Sequence, residues 1–229
     1  AGPELTGQPT PGGYTLQPQV TDLGQYAEWF HNAILMPVIV GIVLVVMFLL
    51  LFVMVRYRAS ANPVPTRTSH NTFIEVTWTL LPILILVVIA FWSIDLLNKQ
   101  YAQPKADLTV KVIGHQWYWS YQYPDNGNFG FDSNMVQATD LKPDELRMLT
   151  ADNPLVIPVD TNVRVEVTST DVIHSFFIPS FGVQEYAIIG RENHAWMRVL
   201  HEGTYYGECN QICGVNHSYM PIEVKVLSK

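Results

Sequence analysis

From Ile34 to Val55 the chain reads ILMPVIVGIVLVVMFLLLFVMV, and from Val76 to Ile94 it reads VTWTLLPILILVVIAFWSI, with no charged residue in either run. As a helix, each is long enough to cross a hydrocarbon core of about 30 Å. A buried helix of a soluble protein seldom runs so far without a charge. Trp29 and Phe30 flank the first run, and Trp78 and Trp92 mark the second, where aromatic rings suit a membrane–water boundary. Arg56, Arg58 and Arg67 all lie in the short connection, whereas the first thirty residues carry only the acids Glu4, Asp22 and Glu28. The excess of basic residues predicts that this connection faces the cytoplasm, or the matrix in a mitochondrion, with both termini on the outer side. A transmembrane helical hairpin is therefore expected over residues 31–98, next to membrane lipid. Residues 1–30, rich in Gly, Pro, Gln and Thr, are expected to lie extended on the outer surface. The chain begins Ala-Gly-Pro rather than with Met, and removal of a signal segment is expected.

Past Asn98 the pattern changes to short runs that alternate apolar and polar residues. Strands are predicted at Leu108–Ile113, Gln116–Tyr123, Leu146–Thr150, Asn162–Ser169, Val172–Ile178, Ala195–Leu200, Thr204–Glu208 and Ile222–Leu227. The runs are rich in Val, Ile, Tyr and Trp, and Pro-Asp-Asn-Gly at 124–127 is a turn signal. Many short strands at this spacing predict a β-sandwich or barrel over residues 99–229. The whole chain carries a net charge of −7, and most of the imbalance lies in this part: ten Lys and Arg against fifteen Asp and Glu from residue 99 onward. A positively charged partner fits that balance, and nucleic acid is not expected.

The only two cysteines fall in Cys209-Asn-Gln-Ile-Cys213-Gly-Val-Asn-His217-Ser-Tyr-Met220. Sulfur ligands combined with imidazole select copper over hard cations such as Mg²⁺ or Ca²⁺. A zinc site more often shows paired C-x2-C spacing and no methionine. A disulfide between Cys209 and Cys213 is the plainer alternative, but it leaves His217 and Met220 at ligand spacing unexplained. Two cysteines on one loop can supply both bridging sulfurs of a dinuclear copper site. A second histidine then has to arrive from another strand, with His115, His174, His194 and His201 as candidates. His174, in the apolar run Val172-Ile-His-Ser-Phe176, is the best placed.

These pieces resemble the cytochrome c oxidase subunit II family. The resemblance rests on Ile74-Glu-Val-Thr-Trp-Thr-Leu-Leu-Pro82, Gly114-His-Gln-Trp-Tyr-Trp-Ser-Tyr121, Asp171-Val-Ile-His-Ser-Phe176 and the cysteine loop ending Met220-Pro-Ile222, in the family's order. It implies a cupredoxin-like Greek-key domain, anchored by two helices beside the haem-bearing catalytic subunit I and subunit III. It also implies a dinuclear copper (CuA) centre that accepts electrons from cytochrome c. Carried over residue by residue, the copper ligands are His174, Cys209, the backbone carbonyl of Gln211, Cys213, His217 and Met220. Trp117 becomes the point of electron entry and Glu75 the entrance of a proton path. Asp125, Asp132, Asp152 and Asp171 match acids that steer a lysine-rich cytochrome. The expected setting is a bacterial inner membrane with the copper domain on the periplasmic side, the mitochondrial inner membrane being the alternative.

The chain departs from the family at Gln211, where a Glu is usual. The family's Glu also binds a Mg²⁺ or Mn²⁺ ion at the subunit I interface, and a neutral amide is a weaker ligand for a hard cation. Gln184, Tyr186 and Ile189 stand where the family has Lys, Asp and Pro, and Gln122 where it often has an acid. Retained copper ligands argue against a quinol oxidase subunit II, and two spans against the soluble nitrous oxide reductase. A membrane-tethered copper carrier outside an oxidase would have no need of Glu75.

Overall fold

The computed structural model describes residues 7–229; Glu4 and the rest of 1–6 lie outside the described residues. The N-terminal stretch is extended only as far as Thr21, because helix α1 begins at Asp22 and runs to Phe30. A π-helical turn at His31–Leu35 leads into α2, Met36–Arg56. Pro37 has no N–H to offer the preceding turn, and widening that turn removes the mismatch. Helix α3 spans Thr72–Tyr101 and contains Pro82. Its start is fixed by Asn71, whose Oδ1 accepts the Ile74 N–H at 3.2 Å.

The helical run Asp22–Arg56 covers 35 residues and Thr72–Tyr101 covers 30, with mean hydropathy up to 3.5 and 2.6. Both are long and apolar enough to cross a membrane, and their apolar side chains from Ile39 to Val55 and from Val76 to Ile94 are largely exposed. Water does not tolerate a surface of that kind, whereas lipid does. Trp29 and Trp92 meet edge to face at 6.5 Å. By contacts, Trp29–Leu97 form one compact unit, and the residues up to Glu28 and from Asn98 onward form the other.

Among the described residues, ten strands build the second unit: β1 Leu108–His115, β2 Tyr118–Tyr123, β3 Phe129–Ser133, β4 Leu155–Pro158, β5 Val163–Ser169, β6 His174–Ile178, β7 Val183–Ala187, β8 Asn193–Met197, β9 Gly203–Cys209 and β10 Pro221–Leu227. They pair as β3-β2-β1-β5-β8 and β4-β10-β9-β6-β7. The pairs β1·β5 and β4·β10 are parallel and the others antiparallel, so the chain crosses repeatedly between the sheets. Period-two burial drives this. Val110 and Val112 on β1, Val163, Val165 and Val167 on β5, and Ile222, Val224 and Val226 on β10 point into one core with Trp119, Tyr121, Phe176 and Tyr205. The N-terminal stretch is tied to this sandwich by backbone bonds from Tyr206 N–H to the Gly7 carbonyl (2.9 Å) and from Val20 N–H to the Ser180 carbonyl (2.9 Å).

Most predicted strands are present with shifted ends, and one is wrong. Leu146–Thr150 is a turn, closed by Thr150 N–H to the Leu146 carbonyl at 3.0 Å. The run Gln116–Tyr123 is also broken, since Gln116 and Trp117 form the turn that joins β1 to β2. Strands β3, β4 and β7 were not predicted.

Candidate metal centre

The neighbouring strands β6 and β9 set Phe176 opposite Cys209, and Asn210 N–H donates to the Ser175 carbonyl at 3.1 Å. This places His174, at the head of β6, beside Cys209, at the end of β9. The chain then loops from Asn210 through the short helical turn His217–Tyr219 and enters β10 at Pro221. Met220 is thereby pulled under the sandwich, where it is 1% exposed.

Six donors converge there. Cys209 Sγ lies 3.8 Å from Cys213 Sγ, 3.9 Å from His174 Nδ1 and 3.3 Å from the Gln211 carbonyl. Cys213 Sγ lies 3.5 Å from His217 Nδ1 and 3.6 Å from Met220 Sδ. Both cysteines are free, as ligation by two thiolates requires. Two bonds of about 2.0–2.3 Å to one ion, at the open angles of thiolate and imidazole sites, separate the donors by about 3.5–4 Å. The donor set fits a soft metal. His174, Cys209 and Cys213 alone place one donor atom each within 4.8 Å of the others.

Electrostatics in the pocket favour a cation. Burial alone would raise the Cys209 thiol, but hydrogen bonds with His174, Ser175 and Gln211 bring it down to about 7. Burial and the neighbouring Cys209 charge push Cys213 up to about 12. The pair thus holds one thiolate readily at neutral pH and a second only when positive charge enters. For His174 burial acts downward, and hydrogen bonds to Cys209 and Asp171 outweigh it to leave the imidazole raised.

The turn after β1 closes over the loop. The Gln116–Trp117 peptide is cis. Gln116 Nε2 and Trp117 Nε1 both donate to the Cys213 carbonyl, at 2.8 and 3.2 Å. Gly214, at φ +125°, permits this approach, because a Cβ there would stand 2.9 Å from the Trp117 ring. Trp117 is half-buried, while Trp119 is fully buried and donates to the Met220 carbonyl at 3.3 Å.

Of the four candidate histidines, only His174 reaches the cysteines. His115 stacks on Tyr118 at 4.5 Å, with its ring nitrogens bonded to Ser120 and Thr170. His194 groups with Glu166 and Glu192, and Lys111 already binds Glu192 at 2.8 Å. His201 is exposed at the turn before β9. The four candidate docking acids all carry internal bonds as well. Asp125 accepts Thr109 N–H (2.7 Å), Asp132 accepts the Ser120 hydroxyl (2.5 Å) and Asp152 accepts Asn134 N–H (2.7 Å). These three are exposed, whereas Asp171 is half-buried and bonded to His174 Nε2 at 2.8 Å. That contact was not read from the sequence, although Asp171 and His174 stand only three residues apart; nor were the bonds of Gln116 to Asp171 and to the Cys213 carbonyl. Glu75 sits half-buried in the first turn of α3.

Two family models match the chain: cytochrome c oxidase subunit II, transmembrane domain, over residues 9–96, and the periplasmic domain of the same subunit over 108–227. A probable cytochrome c oxidase subunit 2 of Rickettsia felis is 47% identical over 222 residues, covering 97% of this chain and 70% of the relative. Cytochrome c oxidase subunit 2 of Cereibacter sphaeroides is 38% identical over 99% of this chain and 80% of its own. The crystal structure of the periplasmic domain of subunit II of cytochrome oxidase from Bradyrhizobium japonicum superposes with a TM-score of 0.52 at 50% identity, covering 56% of this chain and 89% of that one. The β unit therefore has the cupredoxin-like fold of that domain. With its helical hairpin and its β domain matched by the two parts of one subunit, and relatives near half-identical along almost its whole length, the chain belongs to the cytochrome c oxidase subunit II family.

Proposed function

We propose that this chain is the electron-accepting subunit of an aa3-type cytochrome c oxidase. Residues 31–98 anchor it beside subunits I and III, and residues 99–229 carry a dinuclear copper (CuA) site that takes electrons from cytochrome c. The observation that carries this reading is the number of donors crowded around two sulfurs 3.8 Å apart. His174 and the Gln211 carbonyl lie against Cys209, Met220 against Cys213, and His217 between the two. One ion of this chemistry binds about four donors; the six present here would suit a pair of copper ions. Bound copper would supply a centre that gains and loses one electron.

The protein's own residues then have distinct tasks. Trp117, bonded to the Cys213 carbonyl, offers an incoming cytochrome a flat apolar ring one hydrogen bond from the site. Asp125, Asp132, Asp152 and Asp171 supply the negative charge that draws a basic partner. Glu75 is the entrance of the proton path by which subunit I couples reduction of O2 to water with proton pumping; an ionisable group at a membrane boundary suits that task. The arginine-bearing connection between the spans faces the cytoplasm of a bacterium, and the copper domain faces the periplasm.

The test is copper content and spectroscopy of the full chain. It should bind two coppers with a mixed-valence EPR signal, and Cys209→Ser or Cys213→Ser should abolish that signal. A full dinuclear spectrum in either variant overturns the assignment. Trp117→Ala should slow electron uptake from cytochrome c far more than it weakens docking, and uptake near the wild-type rate at low salt would remove Trp117 from the path.

A further inference from the structure

We propose that Asp171 is a positioning residue that locks the His174 imidazole to the turn carrying Trp117; the inference rests on the copper reading of this site. Its two oxygens serve different elements. Oδ1 accepts His174 Nε2–H at 2.8 Å and Val172 N–H at 2.6 Å, while Oδ2 accepts Gln116 N–H at 2.6 Å. With Nε2 carrying the proton, His174 Nδ1 keeps a bare lone pair, and Nδ1 is the atom that faces Cys209. The bond to Gln116 fixes the His115–Gln116 peptide, one residue ahead of Trp117, and Gln116 and Trp117 both reach back to the Cys213 carbonyl. A closed circuit results: carboxylate to imidazole to Cys209, along the loop to Cys213, then through the β1–β2 turn to the same carboxylate. A purely steering acid needs neither partner. The negative charge beside the imidazole favours the oxidised, more positive state of a copper site and so lowers its reduction potential.

Asp171→Asn keeps one acceptor oxygen and removes the charge, and Asp171→Ala removes both acceptors. In the assembled, copper-loaded oxidase, Asp171→Asn should favour the reduced form about tenfold, a rise of about 59 mV for one electron. It should also alter the copper EPR hyperfine pattern and lower kcat for electron uptake. Asp132→Asn removes the same charge from an exposed position and should leave spectrum and potential unchanged. In the metal-free full chain at alkaline pH, where the imidazole is neutral, ¹⁵N NMR should show a larger share of the Nε2–H tautomer of His174 in the wild type than in Asp171→Ala. This last readout needs no metal, so it judges the positioning role even if the wild type bound no copper pair, a result that would overturn the proposed function instead. Wild-type tautomer, EPR and potential in both Asp171 variants, with only the KM for cytochrome c raised, would overturn the inference.

Discussion

Gly114 has no side chain, yet it decides where His174 can sit. A Cβ there would stand 2.8 Å from His174 Cδ2, and the imidazole is 0% exposed, with Trp119 edge-on at 5.9 Å on another side. Gly114→Ala should therefore displace the ring and weaken copper binding by about tenfold, the scale seen when support for a metal-ligating histidine is disturbed. Copper competition with a chelator measures it, and unchanged affinity would show that β1 gives way instead. Gln211 argues the opposite way, because its carbonyl faces Cys209 and the side chain is free to vary. In the assembly proposed above, Gln211→Glu should strengthen Mn²⁺ incorporation without changing the copper spectrum, since a carboxylate binds a hard cation better than an amide does. Tight Mn²⁺ binding in the unmodified protein would show that another oxygen already serves.

Elements were legible where one periodicity ruled. The two charge-free runs and the alternating Val-rich strands β1, β5 and β10 follow directly from burial. Strand β3 hid because Phe129-Gly-Phe-Asp-Ser133 exposes most of its residues at a sheet edge, and β4 because it is short and ends in Pro158. The false strand at Leu146–Thr150 is apolar enough, but Met148 adopts φ +66°, which no strand allows. The convergence of donors at the cysteine loop was legible for a different reason: their spacing is local, so only His174 had to be brought from elsewhere. The core also holds groups that fit it poorly. The Tyr121 hydroxyl is buried with no hydrogen-bond partner among the described residues. Tyr121→Phe should be neutral or stabilising, since an unpaired buried hydroxyl costs about 1–3 kcal/mol. Glu223 on β10 is 5% exposed, and burial raises its carboxyl although it accepts Ala151 N–H at 2.9 Å. A carboxyl raised on folding costs no stability below its unfolded value of 4.5, and the cost grows as pH climbs through the folded value. Glu223→Gln retains an acceptor for Ala151 and should raise Tm at pH 7. The gain should vanish below pH 4.5, and a gain independent of pH would place its cause elsewhere.

At the scale of the whole molecule, charge is sorted along the chain. Three arginines stand at the end of α2 and in the connection after it, while the residues from 99 onward carry fifteen acids against ten bases. In the function proposed above, that division would let one chain hold its orientation in the membrane through its basic connection while offering negative charge to a soluble or membrane-anchored cytochrome. Steering by such a face acts through water and is screened over about 8 Å at physiological salt. The kcat/KM for a lysine-rich cytochrome c should therefore fall as ionic strength rises. Replacing Asp125, Asp132 and Asp152 together with Asn should flatten that salt dependence. Each of these acids also braces a backbone or hydroxyl group, so Tm has to be followed in parallel. Asn keeps one oxygen to accept those bonds, and the triple variant is expected to lose little stability. If it melts with the wild type and its salt dependence is still as steep, the cytochrome is steered by a different face of the domain.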